Sequence, residues 1–320
     1  MNTWAAGIFL LVVVCVIWSV SSVVVQRVED KGVDPLVLTY VCNALFAAFL
    51  VPVACRKKAR TRGSSSSSSE LKAALILSPL WMLANIAYNA SLATTSITSS
   101  TILSSTSSLW TLGFAVASGV EDKSFAKLFA GILCVVGAAF VAWGDETDET
   151  LVGDGLALAS AALYGLYGTV LSAMHPLDTT KLFGYLGVSN AVLFAVPVFV
   201  FGDPSALNTP PIIVSVLLKG LFDNALSDYL WARAVVLTTP TIATLGLSLT
   251  IPMAFGIDAL SGTLDTHPQR VSLRAVGAAT VLVSFLLVSN TKPDNKKDDD
   301  DCCCGPPTAD RGGGGGGGEK

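Results

Sequence analysis

Ten apolar runs, each close to the length of a membrane-crossing helix, take up most of the chain between Trp4 and Ser289. They lie at about Trp4 to Val25, Pro35 to Cys55, Leu71 to Thr94, Ile97 to Val120, Phe125 to Trp143, Gly155 to Met174, Leu182 to Phe201, Ile212 to Val236, Thr241 to Leu260 and Leu273 to Ser289. At about 1.5 Å of rise per residue, a helix of roughly twenty residues crosses the hydrocarbon layer of a bilayer. In lipid every backbone polar group must be satisfied inside the segment, so runs of this length read as helices. The composition agrees, being 52% hydrophobic and 14% charged, with a mean hydropathy of +0.61. The expected fold is an all-α integral membrane protein of ten transmembrane helices. Nothing basic precedes the first run, which is too long for a cleaved signal and reads as the first span. The third and fourth runs are divided only by a Thr/Ser stretch, with the turn expected near Ser96.

The eighth run breaks the apolar rule. It reads KGLFDNALSDYLWARAV from Lys219 to Val235 and places Lys219, Asp223 and Asp228 inside a span. Asp223 falls roughly 16 Å from the start of its run, near mid-bilayer. A charge at that depth costs about 2.5 to 3.5 kcal/mol, so such residues persist where they face protein or a water-filled cavity. At about 100° per residue, Lys219, Asp223, Ser227 and Trp231 share a stripe, flanked by Asn224 and Asp228. A bland reading stands beside the functional one: Lys219 and Asp223, at i and i+4, can simply pair. That reading leaves Asn224 and Asp228 to line a cavity, while Arg233, near the helix end, can snorkel to the interface.

Lysine and arginine counts orient the chain. Arg56, Lys57, Lys58, Arg60, Arg62 and Lys72 follow the second span, Lys123 and Lys127 follow the fourth, and Lys181, Arg233 and the tail lysines fall on the same side. The other side carries Arg27, Lys31, Arg270 and Arg274, which makes both termini cytoplasmic. Residues 56–70, with their run of serine, read as a disordered basic loop, and residues 290–320 as a disordered cytoplasmic tail. Cys302, Cys303 and Cys304 in that tail are candidates for acylation against an unmodified alternative. With Cys15, Cys42, Cys55 and Cys134 scattered and only His175 and His267 present, neither a disulfide framework nor a metal site is indicated, and no cofactor is expected. The net charge of −4 sits mostly in loops and tail, so nucleic acid is not an expected partner, and the sequence leaves a homodimer open.

Laying the second half over the first with an offset of about 144 residues brings Thr94-Thr95-Ser96 onto Thr238-Thr239-Pro240, Ser104 onto Ser248 and Thr106 onto Thr250. The spans then coincide, which divides the chain into a five-helix half over residues 1–143 and another over 154–289. Five is odd, so the halves insert in opposite senses, the inverted repeat on which secondary transporters build two alternately open states. Spans three and eight become counterparts. In span three, Asn85, Tyr88 and Asn89 form a polar patch that mirrors Asn224, Ser227 and Asp228. In span four, Ser100, Ser104, Ser107, Ser108 and Thr111 share a face that either lines the same space or packs closely on another helix. In span six, Ala157, Ala161 and Gly165 make a small-residue stripe expected at a helix contact, with Tyr164 and Tyr167 open to either role. The candidate substrate-binding residues are Asn85, Tyr88, Asn89, Ser100, Ser104, Asp223, Asn224, Asp228 and Trp231, with Lys219 as a charge partner.

Two blocks resemble a known family: LANIAYNASLATTSITSSTILSSTSSLWTL from Leu83 to Leu112, and GLFDNALSDYLWARAVVLTTPTIATLGLSLTIP from Gly220 to Pro252. They are similar to subgroup F of solute carrier family 35, with its yeast thiamine-repressible and vacuolar relatives, in the EamA-like drug/metabolite transporter superfamily. The likeness extends more loosely over Gly7 to Ser289, including IWSVSS at Ile17 to Ser22. It implies a ten-helix, two-repeat transporter with cytoplasmic termini. Members often carry a longer segment between spans two and three than the one here.

The expected function is secondary active transport of a small polar metabolite in an endomembrane (vacuole or Golgi) or the plasma membrane. Aromatic rings beside carboxylates favour a cationic, thiamine-like cargo, and Asp223 or Asp228 then carries a proton or balances the cargo's charge. A nucleotide-sugar or nucleoside antiporter is the alternative cargo class. A receptor or assembly factor on a transporter scaffold is the alternative of another kind. An intramembrane aspartyl protease is disfavoured, because its glycine-x-glycine-aspartate signature meets Leu151, Val152, Gly153 and Asp154 here, and Asp223 and Asp228 share one helix.

Overall fold

The computed structural model describes residues 3–29, 33–57, 67–94, 97–142, 151–175, 177–205, 207, 209–261 and 268–290. The described residues are helical with no strand. In chain order the helices are α1 (Thr3–Glu29), α2 (Pro35–Ala44), α3 (Leu50–Lys57), α4 (Ser67–Thr94), α5 (Ile97–Ser105), α6 (Ser107–Ala117), α7 (Phe125–Ala142) and α8 (Leu151–Ala173). There follow α9 (Thr179–Leu193), α10 (Ala195–Phe201), α11 (Pro210–Leu218), α12 (Ser227–Leu237), α13 (Pro240–Leu247), α14 (Thr250–Ser261) and α15 (Pro268–Ser289). A 3₁₀ segment, Leu45–Phe49, joins α2 to α3, and a π-helical segment, Lys219–Leu226, joins α11 to α12.

Among the described residues, seven stretches are long and apolar enough to cross a membrane: Thr3–Ser21, Leu36–Ala54, Ser69–Tyr88, Phe125–Ala142, Leu151–Ala173, Pro240–Ile257 and Pro268–Ser289. The pair α9 and α10 makes an eighth if it is one span bent by 45°. The two other runs named from the sequence fall short for physical reasons. One is interrupted by a turn at Thr106 between α5 and α6, where the Thr106 hydroxyl takes the Leu103 carbonyl. The other carries Lys219, Asp223 and Asp228. The chain is a multi-pass membrane protein, and large apolar side chains such as Phe9, Phe129, Val192, Phe199 and Leu286 are exposed on its helices.

Local sequence explains several element boundaries. Asp34 caps α2, its carboxylate accepting the Leu36 N–H at 2.7 Å ahead of Pro35 at the first helical position. Asp178 caps α9 in the same way. Thr239 caps α13, again followed by proline. Helix α4 begins at Ser67, so the last serines of the run expected to be disordered form its first turn. Residues 58–66, the turn residue Ser96 and everything beyond Asn290, Cys302 to Cys304 included, lie outside the described residues.

Packing follows a definite pattern. α7 lies along α15, and α6 along α13. α4 packs on α8 and α9, while α1 packs on α12 and α13 and the π segment packs on α2. Small residues set the closest approaches. A Cβ on Gly277 would stand 2.5 Å from the Gly137 carbonyl, and one on Gly165 2.8 Å from the Thr111 backbone nitrogen, so the small-residue stripe of α8 contacts α6. The main core joins Leu11, Leu77, Tyr167, Phe183, Trp231 and Ile242.

Candidate functional site

A cavity of about 620 Å³ opens among these helices. α4 contributes Asn85 and Tyr88, α5 contributes Ser104, and the π segment with the start of α12 contributes Lys219, Asp223, Asn224 and Asp228. Seven of the ten residues singled out from the sequence thus share one wall system.

Three do not share it. Asn89 is on α4, but its side chain lies outside the described residues. Ser100 is fully buried, its hydroxyl 3.0 Å from that of Ser91, so it ties α5 to α4 instead of lining the cavity. Trp231 is also fully buried: its indole N–H donates to the Ala243 carbonyl at 3.3 Å and its ring lies behind Tyr164, 5.4 Å between centroids. The shared face expected in span four splits for the same reason as the helix: Ser104 and Ser107 reach the cavity, whereas Ser108 and Thr111 are buried against neighbours.

The π segment accounts for the changed register of span eight. The Asp223 carbonyl accepts from the Trp18 indole at 3.1 Å and from the Ser227 hydroxyl, donors outside the regular ladder, and donors of this kind accompany widened turns. With i to i+5 bonding the turn widens, so a residue five places on lies nearer the starting face than it would in an α-helix. Asn224 therefore joins Lys219 and Asp223 at the cavity, while Ser227 turns into the protein and accepts the Trp18 N–H at 2.8 Å. Lys219 Nζ stands 3.3 Å from Asp223 Oδ2, the i, i+4 pair open to it from the sequence.

Aromatic rings floor the site. Trp81 and Tyr164 line it, 5.5 Å apart, and Tyr167 stacks behind on Trp231 at 5.9 Å. Trp81 is held by donating to Asn43 Oδ1 at 2.9 Å. Sequence reasoning missed Trp18 and Trp81 as lining residues. The signal for Trp81 was its position one turn before Asn85, on the same stripe. Trp18 offered none, since an aromatic in an apolar span reads equally as core. Among the described residues no group of His, Cys, Asp and Glu could hold a metal ion.

The arrangement can hold a small solute between aromatic faces and polar groups drawn from several helices. Comparison with known proteins gives this geometry a setting. The EamA-like transporter family matches residues 5–143. An uncharacterized vacuolar membrane protein of Saccharomyces cerevisiae is 28% identical over 91% of this chain and 91% of its own length. The thiamine-repressible mitochondrial transport protein of the same yeast is 29% identical over 89% of this chain and 91% of its own. Solute carrier family 35 member F5 of Macaca fascicularis is 32% identical over 72% of this chain and 56% of its own length. A solved crystal structure at 12% identity superposes with a TM-score of 0.67, covering 89% of this chain and 96% of that one, which speaks to the fold alone.

Proposed function

We propose, on the premise that this chain belongs to subgroup F of solute carrier family 35 in the EamA-like drug/metabolite transporter superfamily, that it is a secondary carrier moving a small polar solute by alternating access. The observation that carries this reading is the cavity walled by polar groups from both halves of the chain. Ten spans in two inverted halves are part of the proposal, counting α5 with α6, α9 with α10, and α11 through α12 as one span each. The packing supports that count. Exchanging the halves turns the α4 to α8 contact into that of α1 with the π segment and α12, and turns α4 to α9 into the π segment on α2. It also maps the contact of α7 with α15 onto itself, and that of α6 with α8 onto that of α14 with α1. The family match over residues 5–143 stops where the first half does.

The cargo we favour is a thiamine-like or other small cation, bound by Asn85, Tyr88, Asn224, Asp223 and Asp228. Lys219 is neutralised by Asp223, so the net charge of the site rests with Asp228. One relative is named for repression by thiamine. An endomembrane location is proposed from the relative described as vacuolar, and cytoplasmic termini from the lysine and arginine counts. Lys219 on the cavity wall keeps one second reading, an anionic cargo such as a nucleotide sugar.

The test is solute exchange in proteoliposomes across thiamine-type cations, nucleosides and nucleotide sugars. Asp228→Asn is expected to reduce cation exchange by at least about tenfold while the protein still inserts, as for loss of a charged hydrogen-bonding partner. Unchanged exchange by that variant removes Asp228 from the mechanism. Exchange of nucleotide sugars alone moves the assignment to Lys219.

A further inference from the structure

Most polar groups on the cavity wall are already engaged within the protein. Lys219 and Asp223 face each other, Asn85 donates to the Trp81 carbonyl at 2.8 Å, and Ser160 donates to the Ala84 carbonyl at 2.8 Å. Three are not. Asp228 is 4% exposed and has neither a hydrogen-bond donor nor a basic group in ion-pair contact among the described residues. The hydroxyls of Tyr164 and Ser104 are buried and have no hydrogen-bond partner among them either. The three stand on α12, α8 and α5 and line the same cavity, with Tyr164 within electrostatic range of Asp228. Buried polar atoms are ordinarily satisfied, and leaving one unpaired is costly. Three on one cavity wall, from three different helices, define the complement of a ligand group.

We propose that this part of the cavity binds the protonated nitrogen end of the substrate. The group is an amidinium, a guanidinium or a protonated amino-heterocycle, whose N–H bonds reach Asp228 and the hydroxyls of Tyr164 and Ser104. A carboxylate takes only donors when ionised, which selects N–H and rejects carboxylates and phosphates. A quaternary ammonium supplies charge but no donor, and leaves all three groups unpaired. Trp81 and Tyr164 offer ring surfaces to a flat cation. Tyr164, open to either role in the sequence, thereby becomes a specificity-determining residue. This inference rests on reading the cavity as the solute site, and names the chemistry that the site selects.

The experiment follows the melting temperature of the purified full-length chain during titration with benzamidine, benzamide, N-methylpyridinium and benzoate, which share a flat ring and differ in charge and N–H groups. Benzamidine is expected to stabilise the protein, and the other three are not at equal concentration. Asp228→Asn weakens benzamidine roughly tenfold to a hundredfold, and Tyr164→Phe about threefold to tenfold. Tyr164→Phe keeps the ring on Trp81 and Trp231 and breaks no bond within the protein, so its melting temperature without ligand does not fall; loss of a merely structural hydroxyl would lower it. Should Asp228→Asn fail to fold, Tyr164→Phe and Ser104→Ala carry the test. No shift with benzamidine, an equal shift with benzamide or N-methylpyridinium, or a benzamidine shift that survives the substitutions overturns the proposal. Solute exchange is scored separately. Flux untouched by Asp228→Asn and Tyr164→Phe overturns this subsite and leaves the carrier standing; benzamidine binding lost in both variants, with no flux of any solute, keeps the subsite and removes the carrier reading.

Discussion

Glu121 keeps a carboxylate where little water reaches it. Its Oε2 is 2.8 Å from Lys127 Nζ, its Oε1 accepts the Thr241 backbone N–H at 2.8 Å, and the two side chains are 0% and 3% exposed. The Thr241 N–H is one of the donors that the start of α13 leaves free, and a carboxylate there also meets the positive end of the helix. Glu121→Gln removes the carboxylate opposite a buried ammonium, and breaking such a pair from one side costs about 3 to 5 kcal/mol. We expect a clear drop in melting temperature in detergent, largely recovered when Lys127→Met is added. If the single and double variants melt alike, the pair contributes nothing of its own. Residues of this kind were legible in part. A charge inside an apolar run announces itself, which exposed Lys219, Asp223 and Asp228. Lys127, at the edge of a run, read as a topology signal, and nothing in the sequence marked Glu121 as its partner.

At the scale of elements, closeness is decided by glycine. A Cβ on Gly187 in α9 would meet the Ala47 backbone nitrogen at 2.1 Å and the Phe46 carbonyl carbon at 2.6 Å, both in the 3₁₀ segment, and backbone cannot step aside as a side chain can. Gly187→Ala should therefore destabilise by about 1 to 3 kcal/mol, the range for overpacking a filled contact. Gly155→Ala in α8 meets nothing within 4 Å and should stabilise slightly, by about 0.5 to 1 kcal/mol from helix propensity. Thermal melts of the two variants side by side check both signs, and equal behaviour would contradict the close α9 contact. The apolar runs made the helices readable because length and hydropathy are local properties. What they could not reveal was departure from the regular period: the turn at Thr106, the 45° bend between α9 and α10, and the π turn at Lys219–Leu226. The first involves a hydroxyl competing for a carbonyl and the last a partner distant in sequence, as Trp18 is for Asp223, while the bend falls where Pro197 removes a donor from the ladder. The π turn is also why the projected stripe included Ser227 and Trp231 and set Asn224 on the flank.

For the whole molecule, the proposed inverted repeat makes a demand that a parallel repeat does not. Under the offset of about 144 residues, the segment between spans two and three corresponds to the one between spans seven and eight. If each half has five helices, these equivalent segments face opposite sides of the membrane; with an even number they face the same side. The charges already differ: residues 56–62 carry five of lysine and arginine, Arg56, Lys57, Lys58, Arg60 and Arg62, whereas residues 202–211 carry none. Near the second segment, Asp203 donates its backbone N–H to Asp34 at 3.0 Å, joining it to the start of α2. Across the bundle, Lys181 at the start of α9 lies 3.8 Å from Glu70 at the start of α4. An epitope inserted at Ser65 and another at Ser205, probed separately in cells permeabilised only at the plasma membrane and then in fully permeabilised cells, decides the matter. The Ser65 epitope should be exposed to the cytoplasm and the Ser205 epitope protected until the second treatment. Exposure of both on one side would leave an odd-numbered half impossible, and the cavity between α4, α5, α8 and α12 would then need another route to alternate access.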